Sequence, residues 1–283
     1  TFSGKETFIL AAESSFHGRT LATLSATGQP KYQEGFGPMV KGFKFFKYND
    51  IASVKKLFDE CQKNNQRVSG VLIEPIQGEG GVIPGDKLFF KVLREICNQN
   101  NSLLILDEVQ SGVGRTGKMW GYENLEIEPD GFTLAKGLGG GHAIGALLVQ
   151  EKANIFNPGD HASTFGGNPF ACRAALTVLE EIKRRKILKN VLERGNQLNK
   201  GFTKISAKFP KIISSIRGLG LIQGLVINDS YTDAKTITLK AFDKGLLLVP
   251  AGGNVVRFVP PLIISRNEIN ILLKKLDLIF EEM

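Results

Sequence analysis

The 283-residue chain has only three cysteines, Cys61, Cys97 and Cys172, and no two of them form a CxxC pair. Their scarcity excludes a disulfide-stapled framework and a thiolate metal finger. It fits a reducing compartment, the cytoplasm, with each thiol packed as a small apolar group. No apolar run approaches the ~20 residues that a membrane-spanning helix requires. The three histidines, His17, His142 and His161, accompany no nucleophile-elbow motif, which argues against a serine hydrolase. Internal repeats, low-complexity tracts and a readable signal or transit segment are also missing.

Acidic residues are in deficit: 28 Asp and Glu stand against 36 Lys and Arg, a formal charge of +8. Part of the surplus sits in the KRRK run at 183–186 and in the lysines around 200–211. Without an aromatic-rich strand motif or finger spacing, these runs read as solvated helix faces rather than a nucleic-acid site. The surplus can still favour the approach of anionic ligands. With 42% apolar and 23% charged residues, the composition is that of an ordinary globular protein long enough to bury a substantial core.

Up to about residue 186, short apolar runs alternate with helical patterns, which predicts an α/β domain with a mostly parallel sheet. Strands are expected at Thr7–Ala12, Gly70–Glu74, Leu103–Asp107, Gly131–Ala135 and Ala146–Gln150. Helices are expected at Ile51–Asn64, Lys87–Gln99 and Pro169–Lys189. From Ile187 the pattern changes to a helix, short strands and a terminal helix, predicting a smaller α+β domain over 187–283. Ser265 and Glu268 form a capping box ahead of that last helix.

Two apolar runs end in ionisable residues: LLIL before Asp107 and FTLA before Lys136. Such runs suit strands buried on both faces, and open α/β sheets bind ligands beyond the carboxyl ends of their strands. An acid and an amine delivered to that edge are what pyridoxal 5'-phosphate (PLP) chemistry needs. The amine forms a Schiff base, and the carboxylate faces the pyridine nitrogen. Gly139, Gly140 and Gly141 leave room for a planar ligand beside Lys136. In the stretch 107–110, Val109 offers an apolar contact to the ring and Gln110 a donor to its oxygen. Glu108 lies in this cofactor-binding stretch, but alternation turns it outward and gives it no role of its own.

Other segments add candidates. Phe16 and Arg19, in SFHGRT (15–20), offer a stacking surface and a guanidinium for a carboxylate. In EPIQGEGG (74–81), Glu74 reads as structural and Glu79 as a partner for an arginine or a substrate amine. Arg257 precedes a Pro-Pro stop. Ser163 and Thr164 offer hydroxyls for phosphate contact, or a plain helix cap.

Taken in order, SFHGRT, EPIQGEGG, DEVQSGVGRTG (107–117), AKGLGGG (135–141), STFGGNP (163–169) and RFVPPL (257–262) resemble the class III, fold-type-I aminotransferases. GQPKYQEGFGP (28–38) points within that family to the enzymes acting on N-acetylornithine. The resemblance implies a PLP-dependent transferase fold, with the PLP-binding large domain over 1–186 and the small domain over 187–283. It implies amino transfer from N-acetylornithine to 2-oxoglutarate, in arginine biosynthesis, by a cytoplasmic homodimer with shared active sites. Transfer from ornithine, succinylornithine or 4-aminobutyrate, or a non-catalytic truncated relative, is the alternative.

By the same resemblance, Lys136 carries PLP and moves the proton, and Asp107 pairs with the ring nitrogen. Phe16 and Val109 cover the two ring faces, and Gln110 bonds the ring oxygen. Arg19 takes the substrate's carboxylate or acetamido end, with Ser163 beside it. Glu79 pairs with Arg257 and releases it for 2-oxoglutarate. Thr164 reaches the phosphate of the partner subunit's cofactor. The family's glycine-rich phosphate cup lies upstream of FHGRT and is not found here, and Ala162 stands where glycine is usual. The chain is therefore expected to be the carboxyl-terminal part of a longer enzyme and to bind PLP poorly by itself.

Overall fold

The computed structural model describes residues 5–283; the first four residues of the expected large domain lie outside it. Its strands are, in chain order, β1 (Thr7–Ala12), β2 (Phe43–Phe46), β3 (Arg67–Ile73), β4 (Ile76–Gln77), β5 (Ile83–Pro84), β6 (Leu103–Asp107), β7 (Gly131–Leu134), β8 (Ala146–Val149), β9 (Ile213–Leu219), β10 (Ile222–Ile227), β11 (Val249–Ala251) and β12 (Val255–Phe258). The α-helices are α1 (Leu21–Ala26), α2 (Ile51–Lys63), α3 (Lys87–Gln99), α4 (Pro169–Arg184), α5 (Ile187–Lys208), α6 (Ala234–Asp243) and α7 (Arg266–Glu281). Two compact units result. The first holds the chain up to Pro75 together with 85–110 and 122–178, and the second holds 76–84, 111–121 and 179–283.

The first unit is built on a six-stranded sheet in the order β2-β1-β3-β6-β7-β8. Every pairing is parallel except that of β7 with β8. Leu10, Ile73, Leu104 and Leu106 are fully buried, as the apolar runs require of central strands covered by helices. On α3, Phe89, Phe90, Leu93, Ile96 and Cys97 recur at helical spacing and enter that core, as do Val54, Phe58 and Cys61 of α2. Asp50 and Asp86 cap the two helices by accepting from the amides of Ser53 and Phe89, contacts worth about 1 kcal/mol each. Strand β2 escapes the sequence pattern because it is a four-residue edge strand interrupted by Lys44.

The helix expected over Pro169–Lys189 is corrected to two. Lys186 adopts a left-handed φ of +52° and α5 begins at Ile187. The four consecutive cations at 183–186 offer no apolar side chain to bury, so packing cannot carry one helix axis across them. The buried sets on either side are separate: Ala171, Ala175 and Ile182 on α4, and Ile187, Val191 and Leu198 on α5.

The second unit carries a four-stranded antiparallel sheet, β11-β12-β10-β9. It is packed against α5, α6 and α7 through Leu198, Phe202, Leu225, Ile237, Phe258, Ile269 and Leu276. The capping box is present, with Ser265 and Glu268 exchanging hydrogen bonds at the start of α7. Arg115 donates to the carbonyls of Leu221 (2.9 Å) and Pro260 (2.5 Å), and burial pushes its guanidinium down to about 10. No described helix is long and apolar enough to cross a membrane.

Candidate active site

Asp107 ends β6, and Lys136 follows the end of β7 by two residues. The two strands are parallel neighbours with Asp107 opposite Thr133, so both residues stand at the same, carboxyl edge of the sheet. Asp107 is 8% exposed and has three donors. The Val109 amide (3.1 Å) and the Thr133 hydroxyl (3.3 Å) reach Oδ1, and His17 Nδ1 lies 2.8 Å from Oδ2. A carboxylate withdrawn from water to this degree must be partnered in this way.

Lys136 is exposed and opens a tight 3-10 turn, Lys136–Gly139, at a left-handed φ of +41°. A residue with a Cβ costs about 1–2 kcal/mol in that region, and such strain gathers at functional positions. Gly140 continues the turn at φ +60°, and a Cβ on it would lie 2.8 Å from Val178 Cγ2. The turn after FTLA thus needs glycine for both conformation and space.

SFHGRT follows β1 and is anchored through its backbone. The Phe16 amide donates to Glu74 Oε2 at 3.2 Å, and the His17 amide donates to Thr27 Oγ1 at 2.9 Å. Glu74 is therefore structural, as its place at the strand end suggests. Phe16 is half-buried and meets Tyr32 edge-on at 5.7 Å. The Arg19 guanidinium lies 4.5 Å from the Tyr32 ring centre and 5.4 Å from that of Phe16. Arg19 itself is exposed, with its charge held over two aromatic faces.

Val109 and Gln110 are half-buried just beyond Asp107. Glu108 does not turn outward. It is 1% exposed, and its Oε1 accepts from the Tyr122 amide at 2.7 Å, because the chain leaves the sheet after Asp107 and strand alternation no longer applies. Ser163 and Thr164 lie in an exposed turn in which Ser163 Oγ accepts from the Gly166 amide at 3.0 Å. Neither hydroxyl bonds to the Asp107 cluster.

In the second unit, Glu79 and Arg257 are brought together across 178 residues of sequence: Arg257 Nη1 donates to Glu79 Oε1 at 2.7 Å. The arginine side chain is 7% exposed and the glutamate 25%. The Glu79 backbone is pinned by the Gly252 amide, which donates to its carbonyl at 2.8 Å. A Cβ on Gly81 would strike the Gly252 carbonyl oxygen at 2.4 Å, so the glycines of this loop permit the approach.

Sequence reasoning missed His17, Tyr32 and Thr133. Each acts only through a partner distant in the chain, and a lone histidine in a loop carries no spacing signal. The assembled groups fit PLP: a partnered buried carboxylate for the ring nitrogen, two half-buried apolar side chains and an amine with no ion-pair partner among the described residues. His17 Nε2 remains buried with no hydrogen bond among the described residues.

The chain matches the family model described as aminotransferase class-III over residues 2–280. It is 93% identical over 280 residues to an acetylornithine aminotransferase of Prochlorococcus marinus subsp. pastoris, covering 99% of this chain and 68% of that protein. Among solved structures, the ornithine aminotransferase of Toxoplasma gondii superposes with a TM-score of 0.91 at 30% identity, covering 99% of this chain and 66% of that one. The N-acetylornithine aminotransferase of Stenotrophomonas maltophilia superposes with a TM-score of 0.79 at 34% identity, covering 99% and 67%.

Proposed function

The chain belongs to the class-III aminotransferases, which are PLP-dependent, and on that premise we propose that it transfers an amino group from N-acetylornithine to 2-oxoglutarate. The products are N-acetylglutamate semialdehyde and glutamate, a step of arginine biosynthesis. The observation that carries the chemistry is the placement of Asp107 and Lys136 at one edge of neighbouring parallel strands. The donor substrate rests on the 93% identity to an acetylornithine aminotransferase.

PLP, when bound, supplies the electron sink that lets the amine-bearing carbon of the substrate lose its proton. The residues divide the remaining work. Asp107 would accept from the ring nitrogen, Phe16 and Val109 would hold the ring between apolar surfaces, and Gln110 would donate to the ring oxygen. Lys136 Nζ would hold the cofactor and, once the incoming substrate amine has displaced it, the freed amine would take the proton from the substrate carbon and return it in the amino transfer. Arg19 receives a carboxylate or the acetamido group, with Ser163 beside it, and Thr164 receives a phosphate oxygen of the partner subunit's cofactor.

Glu79 and Arg257 act as a switch. While N-acetylornithine is bound, the ion pair keeps Arg257 neutralised. When 2-oxoglutarate enters, Glu79 swings away and Arg257 takes the second carboxylate as a charge-assisted pair. The pinned Glu79 backbone supports this reading, since the side chain can turn without moving the loop.

A cytoplasmic homodimer completes the proposal. Its support is three free cysteines, of which Cys61 and Cys97 are buried as expected while Cys172 is exposed instead, and large apolar side chains left exposed in the first unit, Leu147, Phe165 and Phe170 at 52%, 82% and 70%. The test of function is kcat/KM on N-acetylornithine against free ornithine, with 2-oxoglutarate as acceptor. Preference for the acetylated amine is expected; preference for free ornithine overturns the substrate assignment.

A further inference from the structure

The basic residues of α5 and of the start of α7 separate into two groups. Lys208 Nζ lies 2.8 Å from Asp277 Oδ2 and 2.6 Å from Glu281 Oε1, so its charge is balanced. Lys200, Lys204 and Arg266 are exposed and have no carboxylate partner among the described residues. Together with Arg194 they line a groove of 420 Å³ between α5 and the start of α7.

This groove is organised. Arg194, Gln197, Lys200 and Lys204 follow one another at intervals of three and four, and Gly201 lies four residues after Gln197, so all five share one face of α5. Gly201 lies directly under the Leu273 side chain of α7, where a Cβ would come within 2.3 Å of Leu273 Cδ1 and force that side chain to shift. Arg194 Nη1 donates to Gln197 Oε1 at 2.5 Å, and Gln197 Nε2 donates to the Arg266 carbonyl (2.9 Å) and to Asn270 Oδ1 (2.8 Å). The polar lining is therefore tied together before any ligand arrives.

Charge in the groove is uncompensated. Four cations, Arg194, Lys200, Lys204 and Arg266, face one carboxylate, Glu193, which leaves +3. Glu193 already lies 3.2 Å from Arg194 and 3.9 Å from Lys189, and nearby Glu268 is occupied by the α7 cap. The Arg194 side chain is only 14% exposed, and its Nε is buried without a hydrogen bond among the described residues. Like charges lining one groove repel one another, and a bound anion relieves that repulsion.

We propose that this groove binds a small, multiply charged oxyanion of the tricarboxylate or pyrophosphate kind, at residues separate from those assigned to PLP and substrates. Its volume suits a compact ion, whereas a nucleic acid would need cations spread along a phosphate backbone.

Calorimetric titration of the full chain with pyrophosphate at physiological ionic strength tests this, with and without saturating PLP. Saturable one-to-one binding that PLP leaves unchanged is expected. Lys200→Gln/Lys204→Gln should weaken it at least ~10-fold, since the neutral amides remove two of the unpaired charges. Both lysines are exposed, so the unfolding midpoint should stay within about 1–2 °C of the parent as the folding control. Absence of saturable binding up to about 10 mM overturns the proposal, as does equal affinity in the double variant. Displacement by PLP, or tighter binding of a DNA duplex than of pyrophosphate, also overturns it.

Discussion

His17 Nδ1 lies 2.8 Å from Asp107 Oδ2, and the remaining ring nitrogen of His17 is buried without a hydrogen-bond partner among the described residues. The histidine side chain is 1% exposed and the aspartate 9%. Ninety residues of chain separate them, yet the loop after β1 delivers the imidazole to the end of β6. His17 is thus a positioning residue, acting through the orientation of the carboxylate.

Replacing it with alanine leaves Asp107 with the Val109 amide and the Thr133 hydroxyl. Loss of a hydrogen bond to a charged group is worth about 1.5–3 kcal/mol, which corresponds to a PLP affinity lower by roughly 10- to 150-fold. Absorbance titration with PLP measures it. His17→Gln, which can still donate, should recover part of the loss; equal loss in both variants would assign His17 a packing role.

Lys136 carries opposing demands. Lys136→Ala should abolish the Lys-dependent visible band with PLP and lower amino transfer by several orders of magnitude. Lys136→Gly should be equally inactive but more stable than Lys136→Ala by about 1 kcal/mol, because glycine adopts a positive φ without a Cβ penalty. Thermal unfolding of the two variants decides this, and a lower midpoint for the glycine variant would contradict it.

The Glu79–Arg257 pair predicts a split between the half-reactions. Arg257→Ala should raise KM for 2-oxoglutarate by ~10- to 100-fold through loss of a charge-assisted pair, while amino transfer from N-acetylornithine changes little. Glu79→Ala should leave Arg257 permanently open and weaken discrimination between the two substrates. Single-turnover measurements with each substrate separate these effects.

Asp130 predicts acid sensitivity. Burial alone pushes its carboxyl up, but Lys152, the Leu104 amide and Arg94 more than offset this and hold it below its usual value. Arg94 Nη1 and the Leu104 amide each lie 2.7 Å from Oδ2. A depressed folded value means the stabilisation is complete above the unfolded carboxylate range, near 3.9, and is lost as pH falls through the lower folded value. Asp130→Asn should cost about 2–4 kcal/mol at neutral pH, since Arg94 is left 13% exposed without its partner, and should flatten the acid limb of the stability curve. Denaturant unfolding between neutral and acid pH reads both.

Local pattern alone placed β1 and β6 and the start and end of α3, because apolar runs and helical spacing are properties of a few consecutive residues. It also placed Asp107 and Lys136 at strand ends, since a charge closing an apolar run marks where a buried strand leaves the sheet. The capping box at Ser265 was legible for the same reason: its partners are three residues apart. The break at Lys186 was not, because a charged run in a helical pattern becomes a stop only when neither side has an apolar residue to pack through it.

What the tertiary structure decided is the set of partners. Glu108 faces the Tyr122 amide and not solvent, and Arg19 lies over Tyr32, whereas the meeting of Glu79 with Arg257 was already implied by the family resemblance. His17 gains a role by meeting Asp107. The sequence determined which groups would stand at the strand ends, because short-range burial governs that. Only the folded chain determined which groups oppose them, because a hydrogen bond or ion pair depends on distance in space, and distance along the chain does not set it.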